Sequence, residues 1–286
     1  MSGQPAGRGG RLRGSRLPAG RAAGRRPILV AVLSTATVFG LLGAIVLNAP
    51  GWPLVREAFL NGRYVAEAWP RQVAAVAVNV QLFLLAEILI LPFALLIAVV
   101  RSLPGPVLFP LRLLAIAFTD FFRGVPLILI VFVLGFGMPA LGIEQIPSDP
   151  FVWGVISLVL VYSAYVSEVY RAGIESVHPS QGAAARSLGL SQVQSLRYVI
   201  LPQAVRRVIP PLLNDFIGLQ KDTAIVSTIG VIEVFRQAQI DESATFNFSP
   251  YLVTSLLFLL LTIPLARLTD WLVARDRRRQ LAALAR

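Results

Sequence analysis

The sequence predicts an all-α integral membrane protein that crosses the bilayer about six times. Three observations carry this expectation. Apolar residues make up 56% of the 286 positions and charged ones only 14%, and the mean hydropathy is +0.70, outside the range of soluble domains. The apolar residues gather into runs of about 20, the length of one helical span. The 26 basic residues collect at the ends of those runs and in alternate connections, as membrane orientation requires. A net charge of +11 therefore reads as topology. A nucleic-acid surface would interleave basic and aromatic residues on a soluble face, and the sequence has no such stretch.

Residues 1–27 carry seven arginines and no acid, a composition that buries no core and predicts a disordered cytoplasmic tail. The first span, 28–48, is of membrane length and ends in Asn48-Ala49-Pro50, a poor cleavage site, so it is expected to be retained. Residues 49–74 mix Arg56, Glu57, Arg63, Glu67 and Arg71 and read as an external connection with some surface helix. A second span runs from Val76 to Val100, with Glu87 and Pro92 inside it and Arg101 closing it. Glu87 is either a functional carboxylate or an inward structural hydrogen bond. Ser102 to Arg112, with three prolines, reads as a turn.

The third span, Leu113 to Phe136, contains Asp120 and Arg123, three apart and so placed to neutralise one another on one helix face. Pro126 is expected to bend it. Gly137 to Pro150 carries acids only and belongs outside. A fourth span, Phe151 to Tyr170, ends in Glu168 and Arg171 at the same three-residue spacing. The fifth, Val208 to Val234, is expected to break at Pro210, Pro211, Asn214 and Asp215 and again at Lys221-Asp222. After a polar external stretch from Gln237 to Ser249, a sixth span covers Tyr251 to Val273, and 273–286 reads as a basic tail. Nineteen basic residues fall on the inner side of this arrangement and four on the outer. Both termini are then cytoplasmic.

The one long polar interruption is Arg171 to Val231. Pro179 suits a first helical turn, Ala183, Ala184 and Ala185 favour helix, and Gly189 suits a stop. Ser191 and Gln194 form a capping-box pattern, and the second helix is expected to end or kink at Pro202. Two short helices hinged at Gly189 result. They are either a docking knob for another protein or an amphipathic hairpin on the bilayer surface.

This segment resembles the coupling region of the permease subunits of ATP-binding-cassette importers of the polar amino acid uptake family. The resemblance rests on Gln181, Ala184, Ala185, Leu188, Gly189, Leu190, then Leu201-Pro202-Gln203-Ala204, Pro210, Pro211, Asn214, and Lys221-Asp222-Thr223. RGVP at Arg123–Pro126 and AYVSEVYRAGI at Ala164–Ile174 also look like that family, and the likeness covers roughly residues 75 to 272. Ala183 stands where the family carries Glu and Ser180 where it carries Gly, which removes one polar contact with the ATPase.

The resemblance implies a five-helix type I importer core, 75–272, preceded by one extra helix, in the plasma (inner) membrane of a prokaryote. It also implies partners: a cytoplasmic ATPase dimer that binds the ATP, an extracytoplasmic binding protein, and a sister permease or second copy of this chain. ATPase coupling falls to the segment 178–202, with Gln181, Ala183, Ala184, Ala185, Leu188, Gly189, Leu190, Leu201 and Pro202.

Candidates for the substrate path or a gate are Lys221, Asp222, Thr223, Arg123, Glu168 and Asn214. Lys221, the only lysine, either contacts substrate or locks a helix break, at which Asp222 is expected to cap a helix beginning at Thr223. No nucleophile elbow, HExxH or Walker sequence is present, so no catalytic residue is assigned. Cysteine is absent and His178 is the one histidine, so no metal site or cofactor is expected in the chain itself. A same-family importer of another polar solute, or a secondary transporter or channel, are the rival readings; no second copy of the Arg171–Val231 pattern favours the last.

Overall fold

The computed structural model describes residues 25–102 and 106–284, and helices account for nearly all of them, with no strand among them. The expectations for 1–24, for 103–105 of the proline-rich turn and for 285–286 lie outside the described residues. The chain divides after Val55 into two compact units. In the first, α1 (Arg25–Leu47) supplies an apolar span, and Asn48 follows it, its side chain donating to the Ala44 carbonyl at 2.7 Å. The short helix α2 (Trp52–Phe59) comes next.

The second unit is built on α3 (Gly62–Ser102), a helix of 41 residues. At 1.5 Å per residue it is about 60 Å long, twice the ~30 Å apolar thickness of a bilayer. It absorbs much of what the sequence suggested was a connection up to residue 74. Mixed charge there marks a polar stretch of helix, with Arg63 and Glu67 paired at 2.8 Å one turn apart. Ala68, Gln72, Ala75, Asn79, Leu82, Ala86, Ile90, Ala94 and Ile97 are buried at steps of three and four, so one stripe faces protein. Its alanines let neighbouring helices approach, the main source of helix adhesion where lipid removes the hydrophobic drive.

The third predicted span is two helices, α4 (Phe109–Gly124) and α5 (Leu127–Ala140), meeting at 104°. The break exceeds an ordinary proline bend because Val125 is extended, with φ −96° and ψ 130°, as a residue before proline prefers. The helix α6 (Pro150–Glu175) starts with Asp149 accepting from the Phe151 amide at 2.9 Å.

Next come α7 (Pro179–Ser187), α8 (Gln192–Ser195), a π-helical turn (Leu196–Ile200) and α9 (Leu201–Asp222). Pro202 does not end a helix; it sits in the first turn of α9, directly after the π-helical turn, the local adjustment by which a helix accommodates a proline. Pro210 and Pro211 do not break α9 either. The carbonyls they leave without an i+4 donor belong to Arg206 and Arg207, both exposed, where polar surroundings can serve them. The break comes at Asp222, where a 3₁₀ helix (Thr223–Ile229) takes over. Asp222 caps nothing there, a correction to the sequence expectation. The chain finishes with α10 (Val234–Thr245) and α11 (Pro250–Leu284), which continues as helix beyond residue 273.

Among the described residues four stretches are long and apolar enough to cross a membrane, or five if α4 and α5 form one broken span. The expected fifth span, α9, is not among them, because it carries Asn214, Asp215, Lys221 and Asp222 beside its two prolines. The main core joins Leu82 and Ile90 of α3, Val131 of α5, Leu158 of α6, Leu219 of α9 and Val226 of the 3₁₀ helix, all fully or almost fully buried. A second cluster joins Ala68 and Ala75 to Val234, Val253 and Leu257.

Buried polar side chains of α3 hold the other elements in register. Asn79 donates to Thr223 Oγ1 at 3.0 Å and to Glu233 Oε2 at 2.9 Å, and accepts from the Val234 amide at 3.1 Å. Glu233 is fully buried and caps α10 through the amides of Phe235 and Arg236. Gln72 donates to the Pro250 carbonyl at 3.0 Å and accepts from Thr254 at 2.9 Å.

Candidate functional site

One face of α6 is turned towards one face of α9. Tyr162, Tyr165, Val169 and Ala172 recur at three- and four-residue steps on α6, with Ser176 just past its end; Arg207, Pro211, Asp215 and Asp222 recur on α9 at steps of four and seven. Both periods select a single helical face. These residues line two clefts of about 440 and 380 Å³, which share Arg123, Tyr165 and Asp215. From Tyr162 to Ser176 the pair extends about 21 Å along α6 at helical rise. The side wall is the break between α4 and α5, Arg123 to Leu127, so the 104° turn places irregular backbone where it lines a cavity. That is the setting in which a membrane protein tolerates it.

The ionic groups are arranged around Glu168. Its Oε2 takes Arg171 at 2.7 Å, its Oε1 takes Arg101 of α3, and Arg123 Nη1 stands 3.9 Å from Oε1. Arg171 also reaches Glu175 at 2.5 Å. The expected pairing of Arg123 with Asp120 is not formed: Arg123 leans to Glu168 and lies over the Tyr165 ring at 5.9 Å. Farther along the cleft, Tyr162 donates its hydroxyl to Asp222 Oδ2 at 2.8 Å. Asp215 lines both clefts, and among the described residues its buried Oδ2 has no hydrogen-bond partner.

Of the residues the sequence suggested for a path, Arg123, Glu168 and Asp222 line these clefts. Three do not. Thr223 is fully buried in the Asn79 network. Asn214 lines a separate cleft with Pro210, Thr269 and Asp270, between α9 and α11. Lys221 is exposed. Sequence reasoning missed Tyr162, Tyr165 and Arg101 as members of the site, and treated Asp215 only as a helix breaker. The four-residue step from Arg207 through Pro211 to Asp215 was the available signal.

The polar segment forms both of its punctuation marks. After α7 the Leu190 amide bonds the Ala185 carbonyl at 3.2 Å and the Gly189 amide bonds Arg186 at 2.9 Å, the paired closure of a Schellman stop. Gly189 has φ +87°, which a residue without Cβ adopts freely. Ser191 and Gln194 then exchange bonds, amide to side chain in both directions, at 2.9 and 3.2 Å. Of the coupling residues, Ala185 is buried, while Gln181, Ala183, Ala184, Gly189, Leu201 and Pro202 are exposed and Leu190 is half-buried. Leu188, at the turn, is 84% exposed.

The two ends of this segment are fastened together. The Arg207 guanidinium donates to the Ser176 carbonyl, and a Cβ on Gly173 of α6 would overlap Val208 of α9. These two contacts join the end of α6 to the start of α9 on either side of α7 and α8.

Residues 90–278 match the family described as "Binding-protein-dependent transport system inner membrane component". The chain is 40% identical over 167 residues to the probable glutamine ABC transporter permease protein GlnM of Bacillus subtilis (strain 168), covering 58% of this chain and 76% of that protein. It is 34% identical over 205 residues to the putative glutamine transport system permease protein GlnP of Rickettsia typhi (strain ATCC VR-144 / Wilmington), covering 70% and 92%. Among solved structures it is similar to a chain of an amino acid ABC transporter crystallised with histidines, with a TM-score of 0.67 and 33% identity over 72% of this chain and 94% of that one. By sequence and by fold, the chain belongs to the family of binding-protein-dependent transport system inner membrane components.

Proposed function

We propose that this chain is the permease subunit of an ATP-driven importer of polar or charged amino acids in a prokaryotic plasma membrane, with both termini cytoplasmic. The observation that carries the reading is the exposed α7–Gly189–α8 segment, whose ends are fastened to the two helices that line the charged cleft. An ATPase dimer that holds ATP grips this segment, around Leu188, Gly189 and Leu190. Closure of the dimer then rocks α6 and α9 together against the other helices, a rigid-body switch of the alternating-access type. An extracytoplasmic binding protein delivers the solute, and a second permease, identical or related, completes the pathway. The chain itself performs no covalent step and binds no cofactor. Substrate class follows the names of the relatives, which include glutamine and arginine permeases.

The test is co-purification in mild detergent followed by reconstitution. Recovery of a P-loop ATPase with the tagged chain, and uptake of a labelled amino acid that requires both ATP and the binding protein, is the expected result. Transport in liposomes by the chain alone, without ATP, would refute the proposal.

A further inference from the structure

The geometry points to a seat for one anionic phospholipid on the seam between α9 and α11, its phosphate among arginines at the end of a span and an acyl chain in an apolar slot deeper in the bilayer. Two separate hollows lie on this seam. A cleft of about 480 Å³ is lined by Pro210 and Asn214 of α9 and by Thr269, Asp270, Val273 and Arg278 of α11. A slot of about 200 Å³ sets Val80, Phe83 and Leu84 of α3 against Leu261 and Leu265 of α11, beside Gln220 of α9.

The register of the two helices orders the hollows. Gln220 accepts from Thr262 at 2.8 Å, and Asn214 and Pro210 share the cleft with Thr269 and Val273, so α9 and α11 run antiparallel. From Asn214 to Gln220 the seam advances about 9 Å, towards the middle of the apolar span Pro250–Arg275. The cleft thus sits at the edge of the span and the slot inside it. Exposed Trp271, with the Arg275 guanidinium over its ring at 5.0 Å, marks the same edge, as aromatic and basic residues do at a membrane boundary. A soluble phosphate compound would use the cleft alone; a polar head with an apolar chain uses both.

Charge selects the head. From Arg267 to Arg279 the chain carries five arginines and two aspartates. Asp270, the acid in the cleft, is met by Arg267 at 3.5 Å. Arg278 forms no ion pair and Asn214 no side-chain hydrogen bond among the described residues. Exposed Arg206 lies one turn before Pro210 on the same face of α9, level with the run from Arg275 to Arg279. Arg207 and Asp215 belong to the opposite cleft, against α6. The cationic surplus is answered by a phosphate that carries net charge, and basic pockets between spans take such heads.

The test uses the full chain, purified in mild detergent and reconstituted into phosphatidylcholine vesicles with a trace of spin-labelled lipid. The motionally restricted fraction of labelled phosphatidylglycerol is compared with that of labelled phosphatidylcholine. A preference of about fivefold for phosphatidylglycerol is expected, the worth of one arginine near a membrane surface. Arg206→Gln combined with Arg278→Gln should abolish it. Arg197→Gln, which removes an exposed arginine that lines neither hollow, should keep it. Leu265→Trp, which fills the slot, should lower retention of phosphatidylglycerol, and excess glycerol phosphate should displace no lipid. Size-exclusion profiles matching the parent keep misfolded variants out of the comparison. Equal retention of the two lipids, as when a second copy of the chain covers the seam, would overturn the inference. So would an unchanged preference in the double arginine variant, the same loss in Arg197→Gln, unchanged retention in Leu265→Trp, or displacement by glycerol phosphate. The readout needs neither ATPase nor amino acid, so this inference and the importer proposal can fail separately.

Discussion

Arg101 at the end of α3 and Glu168 on α6 form an ion pair across 67 positions of sequence, with both side chains more than four-fifths buried. The pair ties the two most extensively packed helices of the second unit beside the 440 Å³ cleft, which Glu168 lines. Removing one partner leaves a charge in a poorly hydrated place, so Arg101→Ala should destabilise the protein by about 1–3 kcal/mol, below the 3–5 of an isolated buried pair because Arg171 still meets Glu168. Thermal unfolding in detergent measures this, and an unchanged midpoint would show that Arg171 alone suffices.

Leu188 is the large apolar side chain exposed at the turn of the proposed docking segment. Burying it against a partner would contribute about 1.5–3 kcal/mol, or roughly ten- to a hundredfold in affinity. Leu188→Ser should weaken ATPase association by that factor while leaving the permease's own stability unchanged. Pull-down and unfolding curves on the same preparation check both halves.

Gly189→Arg should uncouple transport with normal membrane insertion. No heavy atom lies within 4 Å of the position a Cβ would occupy, so the fold has room. The left-handed φ still costs about 1 kcal/mol, and the added bulk and charge stand where the ATPase would close. Uptake at the parental rate and equal abundance would count against the docking role.

Gly173 and Val208 test the link between α6 and α9. Gly173→Ala inserts a methyl where Val208 already sits, at a cost of about 1–3 kcal/mol. Val208→Ala in the same chain should recover most of the loss in stability and in ATP-linked uptake. A double variant no better than Gly173→Ala would mean that the helices meet elsewhere.

Asn79→Leu should be the most damaging substitution on α3. It deletes three hydrogen bonds and leaves the carboxylate of fully buried Glu233 with backbone partners only. A loss of about 2–4 kcal/mol is expected from the unsatisfied groups. Limited proteolysis near α10 would report it, and wild-type resistance would contradict it.

Local grammar was legible in the sequence. The Schellman stop at Gly189, the capping box at Ser191 and the disruption at Pro126 all depend on a few adjacent residues, and each forms. Long-range partners were not legible. Spacing pointed Arg123 at Asp120, one turn away, but a helix that breaks two residues later frees its last side chain to reach another helix. Asp215 read as a break in a span because polarity was taken as interruption, yet α9 runs through it to the break that does form at Asp222; a helix that lines a polar cleft needs such residues without interruption. The helix continuing past 273 was hidden because charged residues serve as well on an aqueous helical turn as in a loop.

The 3₁₀ helix from Thr223 to Ile229 has a mechanical consequence. Three residues per turn stack Thr223, Val226 and Ile229 in one row, all buried. Two teeth of that row engage glycines: Val226 at Gly154 of α6, and Ile229 at Gly135 of α5, where a Cβ would lie 2.6 Å from Ile229 Cγ2. Rewinding the seven residues as α-helix would shorten them by about 3.5 Å and rotate Ile229 roughly 120° out of line with Thr223. The rack therefore admits one winding. On the proposed mechanism a stroke that enters α9 from the docking end is not absorbed by coiling at its far end, and Asp222, the residue before the first tooth, travels with it.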